Sequence, residues 1–246
     1  MSADVIDSLL LTAARIITYA EDQALTNASG FFFARDGRLY LITSRHVMCD
    51  PAIGHYPTRI ELELHTDPQN LTRSIGFSIP LYRANKRLWL QAQDGGGDID
   101  IALIELDRAA LPGRMVYKAF TAKHLVDGGT KVEIGCPLLI LGFPLGFHDT
   151  LHHLPVARKG GLASSFNLRF QGQGYFLTDA RTHQGGSGAP VVTRIEHPVA
   201  GQTDLPWRLL GVHSARLDML SRNTQVDEAL GLNCAWYADV LLTLTA

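Results

Sequence analysis

The sequence predicts an all-β protein of two similar halves ending in a helix, and three observations predict it. Segments with β-branched or aromatic content recur, in order, at residues 9–19, 30–34, 38–43, 58–64, 88–91, 99–106, 131–142, 175–178, 189–195 and 209–214. Turn signals separate most of them, among them Asp36-Gly37, Asp94 through Gly97 and Asp127 through Gly129. Such spacing belongs to a sandwich or barrel. Helical periodicity is confined to residues 233–244, where Trp236, Val240, Leu241 and Leu244 fall close to helical spacing. The least strand-like stretch, 107–129, contains Pro112-Gly113 and Gly128-Gly129 and reads as the connection between the halves. The expected division is therefore 1–120 and 121–246.

Composition narrows the function classes. With 246 residues the chain can bury a substantial core, and 46% hydrophobic with 19% charged residues is ordinary for a globular protein. A formal net charge of -2 and scattered Lys and Arg give no basic patch, so no nucleic-acid or membrane partner is expected. No stretch approaches the roughly 20 apolar residues of a membrane span. Asp4 and Asp7 stand where a secretory leader would be basic, and Thr12 and Arg15 cut short the apolar run of Leu9 to Leu11. Cys49, Cys136 and Cys234 cannot all pair with one another and lack zinc-site spacing. Buried thiols in a reducing cytoplasm are the expectation, with no metal or cofactor.

The most informative segment is Thr178-Asp179-Ala180-Arg181-Thr182-His183-Gln184-Gly185-Gly186-Ser187-Gly188-Ala189-Pro190. Acyl transfer needs a hydroxyl on a tight turn with backbone N–H groups aimed at the developing oxyanion. Glycines around Ser187 permit that turn, while Pro190 and two valines begin a strand. A glycine-rich hairpin with an incidental serine would look the same. The six residues 185–190 resemble the nucleophile motif of the trypsin-like serine peptidases, and the Thr-Asp-Ala context is similar to the bacterial HtrA-like branch. That resemblance implies two six-stranded antiparallel β-barrels and an oxyanion hole made by the N–H groups of Gly185 and Ser187. Gly186 departs from the usual Asp or Asn, and Ala189 from a Gly. The first departure implies a pocket that does not mature by zymogen cleavage. It leaves open whether the turn forms without a partner.

A nucleophilic serine needs a base, and the base needs a group fixing its tautomer. Residues 39–47 read as a strand running into a small turn with His46 at its end. Phe31-Phe32-Phe33 followed by Leu41-Ile42-Thr43-Ser44-Arg45-His46-Val47 is similar to the family's first hairpin, which implies His46 as the base. Asp100-Ile101-Ala102-Leu103 resembles the motif whose Asp accepts the histidine N–H, with Asp98 the second choice at period two. Ser214 matches the serine that supports the carboxylate, and Gly142-Phe143-Pro144-Leu145-Gly146 resembles the HtrA-like loop beside the site. The order His, Asp, Ser is the trypsin-like one, and Ala189 breaks the Gly-X-Ser-X-Gly rule of α/β-hydrolases.

The resemblance also implies a substrate pocket bordered by Arg181, Thr182 and Gln184, with His213 and Ser214 on its far side. Thr182 and His213 match the glutamyl endopeptidase branch, where a Thr and a His grip an acidic side chain; Arg181 and Arg216 would add favourable charge. The expected function is a cytoplasmic serine endopeptidase acting on proteins or peptides. Four alternatives stay open: a silent trypsin-like binding module, a protease switched on by a protein partner, an esterase, and a His213 that merely continues a strand. No PDZ domain is expected after the second half.

Overall fold

The structure, a computed structural model, describes residues 2–127, 129–214 and 231–246. Strands β1 (Ala13–Ala20), β2 (Gln23–Arg35), β3 (Arg38–Thr43), β4 (Arg59–His65), β5 (Ser74–Pro80), β8 (Trp89–Asp94) and β9 (Gly97–Glu105) form one sheet in the order β5-β4-β1-β2-β3-β9-β8. Between them, β6 (Tyr82–Arg83) and β7 (Lys86–Arg87) make a small separate hairpin. The second sheet holds β10 (Pro137–Gly142), β11 (Val156–Gly161), β12 (Tyr175–Thr178), β13 (Pro190–Arg194), β14 (Trp207–Ser214) and β15 (Asn233–Tyr237), ordered β11-β10-β13-β14-β15-β12. Its edge strands meet. Ala163 N–H donates to Leu177 C=O at 2.8 Å and Asp179 N–H to Gly161 C=O at 3.2 Å, closing a six-stranded barrel. In the first sheet Leu88 N–H donates to Leu81 C=O, drawing the ends of β5 and β8 together.

Three cores explain the apolar runs. Phe31 and Phe33, with Tyr40, Ile42, Ile101 and Leu103, face Leu177, Val192, Leu209 and Trp236 of the other sheet. Phe32, Leu39, Leu41 and Ile104 point the opposite way, into the first barrel with Ile16, Ile60 and Leu62. Side chains alternate across a strand, so β2, β3 and β9 bury both faces and read as continuous rather than alternating hydrophobic segments. Ile140, Phe176, Val191 and Leu210 fill the second barrel.

Residues 107–129 carry no strand among those described, as expected of a connection. Val116 bridges to His65 and Phe120 to Phe33, after which Leu125 bridges to Leu209, so the chain crosses between sheets from 120 to 125.

Several expectations change in extent: the strand expected over 131–142 starts only at Pro137, and that over 30–34 runs from Gln23 to Arg35. The first sheet has seven strands rather than six, because residues 74–80 add an edge strand. Residues 9–11 of the first expected strand lie in a 3-10 turn, and strand pairing starts at Ala13. The C-terminal helix is only Val240–Leu244, labelled α2; residues 233–237 form β15, paired with β14 on one side and β12 on the other. Buried on both faces in mid-sheet, that strand carries an unbroken apolar run, which mimics helical spacing over so short a segment.

Candidate active site

The register of β3 against β9 sets up the first pair. Thr43 sits opposite Ala102, and beyond it β3 gives way to the one-turn helix α1 (Arg45–Met48) while β9 continues outward. Asp100 therefore lies beside the start of α1. Its Oδ1 accepts from the His46 backbone N–H at 3.0 Å, and its Oδ2 from His46 Nδ1–H at 2.8 Å and the Ser214 hydroxyl at 2.9 Å. An ionised carboxylate only accepts, which assigns the proton to Nδ1 and leaves Nε2 an acceptor. Burial alone would raise the Asp100 pKa, but the His46 charge and the bonds from His46 and Ser214 hold it below its ordinary value. Asp98 is exposed and accepts from Gln93 Nε2 at 2.6 Å instead.

The turn bearing Ser187 is clamped between the two sheets. Ser29 of β2 donates its N–H to Ser187 C=O at 2.9 Å and its hydroxyl to Gly185 C=O at 2.7 Å. On the other side Gly188 N–H donates to His213 C=O at 2.8 Å, and the same carbonyl accepts the Ser44 hydroxyl at 3.3 Å, two residues before His46. Gly188 has φ +86, and a Cβ there would lie 2.2 Å from both Ser29 O and Thr43 Oγ1, so only glycine fits. Ser187 is 7% exposed, and among the described residues its hydroxyl makes no hydrogen bond. Two hydrogen-bonded routes link its turn to the segment bearing His46: one through the His213 carbonyl to Ser44, the other through Ser29, whose carbonyl accepts the Thr43 hydroxyl at 2.7 Å.

Carbonyl placement decides where the turn's amides point. Gln184 C=O accepts from Leu145 N–H at 2.6 Å, and Gly186 C=O from Ala189 N–H at 3.0 Å. In a trans peptide the next N–H points the opposite way, so those of Gly185 and Ser187 face away from these anchors. Neither donates to any described residue. Gly186 N–H is spent on His183 C=O at 3.1 Å. A Cβ on Gly186 would lie 3.1 Å from His183 O and 3.4 Å from His213 Cδ2, so the His183 carbonyl and the His213 ring border the place of the usual Asp or Asn.

Of the expected pocket residues, Thr182 donates to Asn233 Oδ1 at 2.6 Å, and Asn233 Nδ2 in turn reaches Ala180 C=O at 2.6 Å. Arg181 and Gln184 are exposed, and Arg216 lies outside the described residues. His213 is fully buried, and neither ring nitrogen hydrogen-bonds to any of the described residues. Ser29 and Asn233 were not visible to sequence reasoning. Ser29 precedes the aromatic run with no motif of its own, and Asn233 sits in the segment read as helix.

Burial, and then the His46 charge, push His213 down to about 4, against 6.5 in the unfolded chain. Between those values the unfolded chain binds a proton that the folded one refuses. Stability should therefore fall as pH drops from 6.5 towards 4, by on the order of 3 kcal/mol in all. His65 and His124, also lowered by burial, add to the same slope. Urea midpoints across this range should show a shallower fall for His213→Leu; an unchanged slope would assign the effect elsewhere.

Residues 28–200 match the family described as the trypsin-like peptidase domain. The chain belongs to that family. Among solved structures it is similar to the serine endoprotease of Yersinia pestis, at 15% sequence identity and TM-score 0.57, over 100% of this chain and 65% of that one. The chain thus spans about two thirds of the length of that protein. Across solved structures 459 chains match, so the fold is too widely used to define a substrate. A search of curated protein sequences finds no match.

Proposed function

We propose that this chain is a serine endopeptidase with Ser187 as nucleophile, His46 as general base and acid, and Asp100 as the orienting carboxylate. The observation that carries this reading is the His46–Asp100–Ser214 set beside a turn whose Gly185 and Ser187 N–H groups are unspent. Ser187 Oγ attacks the peptide carbonyl as His46 Nε2 takes its proton, and the imidazolium passes that proton to the leaving amine. Water then repeats the sequence on the acyl-enzyme. The two free amides hold the oxyanion, each donor contributing about 2.7–4 kcal/mol to the transition state. The Ser187 hydroxyl makes no hydrogen bond to the His46 ring, a looseness common in unliganded sites.

A fluorophosphonate probe tests the reading. An adduct mapped to Ser187 in the isolated, folded protein supports it. A folded protein that resists the probe but gains reactivity with cell extract would favour activation by a partner, and one that stays inert would favour a binding module. The anchored Gln184 and Gly186 carbonyls support activity without a partner. The odd cysteine count supports a cytoplasmic setting.

For the residue before the cut, we propose an acidic preference. A buried His213 whose ring nitrogens find no partner among the described residues is costly unless something arrives to bond it, and Thr182 lies at the matching position. A peptide library should give Glu or Asp at that position. A preference for Lys or Arg would overturn the idea.

A further inference from the structure

The turn bearing Ser187 has two flanks. On one stands β14, with the His213 carbonyl on Gly188 and the His213 ring against Gly186. On the other stand β2 and residues 143–147. There Ser29 Oγ accepts from Phe143 N–H at 3.0 Å, Leu145 N–H holds Gln184 C=O, and a Cβ on Gly146 would lie 3.4 Å from Asn27. Under the hydrolase reading, on which this inference rests, the acyl half of the substrate lies along the β14 flank. The leaving half must then cross the flank of β2 and residues 143–147.

That second flank presents apolar side chains to water. Leu145 is 71% exposed and Phe147 70%, and Leu145 also takes the left-handed conformation, φ 53. A bulky residue in that region is strained, and a leucine turned outward returns no burial for it. The segment is nevertheless fixed at both ends: Phe143 is fully buried, and Leu154 packs with Leu11 and Leu71. Exposed hydrophobic groups on a fixed frame beside a reaction centre mark a binding surface.

We propose that Leu145 and Phe147 form an apolar shelf receiving a large hydrophobic side chain immediately after the scissile bond. Substrates would then be proteins cut before Leu-, Ile- or Phe-like residues.

Acyl transfer tests the shelf without knowledge of the residue before the cut. The acyl-enzyme formed from a p-nitrophenyl ester is partitioned between water and added leucinamide, phenylalaninamide, alaninamide or lysinamide. Leucinamide and phenylalaninamide should capture the acyl group roughly tenfold better than alaninamide, as a filled hydrophobic subsite discriminates. That advantage should shrink to about twofold or less in Phe147→Ser and in Leu145→Asn, the latter tolerating the left-handed backbone. Equal capture of all four amides, or an advantage retained in both variants, would overturn the shelf. So would variants that change only the protein's self-association in sedimentation, which would assign the patch to a second copy. Absence of any acyl-enzyme in folded protein defeats the hydrolase reading itself, whereas an acyl-enzyme without preference defeats the shelf alone.

Discussion

Ser187→Ala is expected to abolish fluorophosphonate labelling and to lower peptide turnover by roughly four to six orders of magnitude. The fold should be untouched. The Ser187 hydroxyl bonds to no described residue, and the turn is held instead by backbone groups that alanine keeps: Ser187 C=O on Ser29 N–H and Gly188 N–H on His213 C=O. Removing one unpaired oxygen from such a place should shift the unfolding free energy by no more than about 0.5 kcal/mol. The two amides remain, so residual hydrolysis above the rate in water is expected from them. Turnover and labelling that both persist in the variant would assign the chemistry to another nucleophile. Loss of activity together with loss of the folded signal would make Ser187 a structural residue, contrary to the geometry.

Asp100→Asn should cost about 10⁴-fold in turnover while leaving the site's shape intact. Asp100 accepts three bonds through two oxygens, and an amide has only one oxygen to offer. If that oxygen takes the Oδ2 place, the NH₂ confronts the His46 backbone N–H, donor against donor. If it takes the Oδ1 place, the NH₂ faces Nδ1, which must then give up its proton to Nε2. A ring protonated at Nε2 cannot accept the proton of Ser187. Nitrogen NMR of the His46 ring should report the changed tautomer, and an unchanged tautomer with full activity would remove Asp100 from the mechanism. The pH dependence differs as well. A carboxyl held below its ordinary 3.8 stabilises the fold above that pH, and the contribution fades as pH falls through the lowered value. Asp100→Asn should lack this acid-side loss.

The residues that could be read directly were those whose meaning is local. β3 and β12 have the boundaries their composition predicts, and the runs around Phe31–Phe33 and Ile101–Leu103 were legible because both faces of those strands are buried. His46 and Asp100 follow from short motifs, and the structure ties them together at 2.8 Å. Edge strands were missed for a physical reason. Residues 74–80 alternate Ile75, Phe77 and Ile79 at strand period, but Gly76 and Pro80 break the segment and read as turn signals, whereas 156–161 include exposed Arg158 and Lys159 and show no apolar face to detect. Ser29 and Asn233 act over distance: Ser29 bonds Gly185 across 156 positions and Asn233 bonds Thr182 across 51. No window along the chain contains such a pair.

Ser29, on a strand of the first sheet, holds the turn that under the proposed reading carries the nucleophile of the second. The halves are therefore not interchangeable modules. A chimera that joins this N-terminal half to a relative's C-terminal half would inherit a nucleophile turn shaped for a different support, and would have to import residues 27–30 together with 143–147 and 184–188 to keep its geometry. Variation in this seam offers a way to adjust rate while every group that exchanges a proton stays the same.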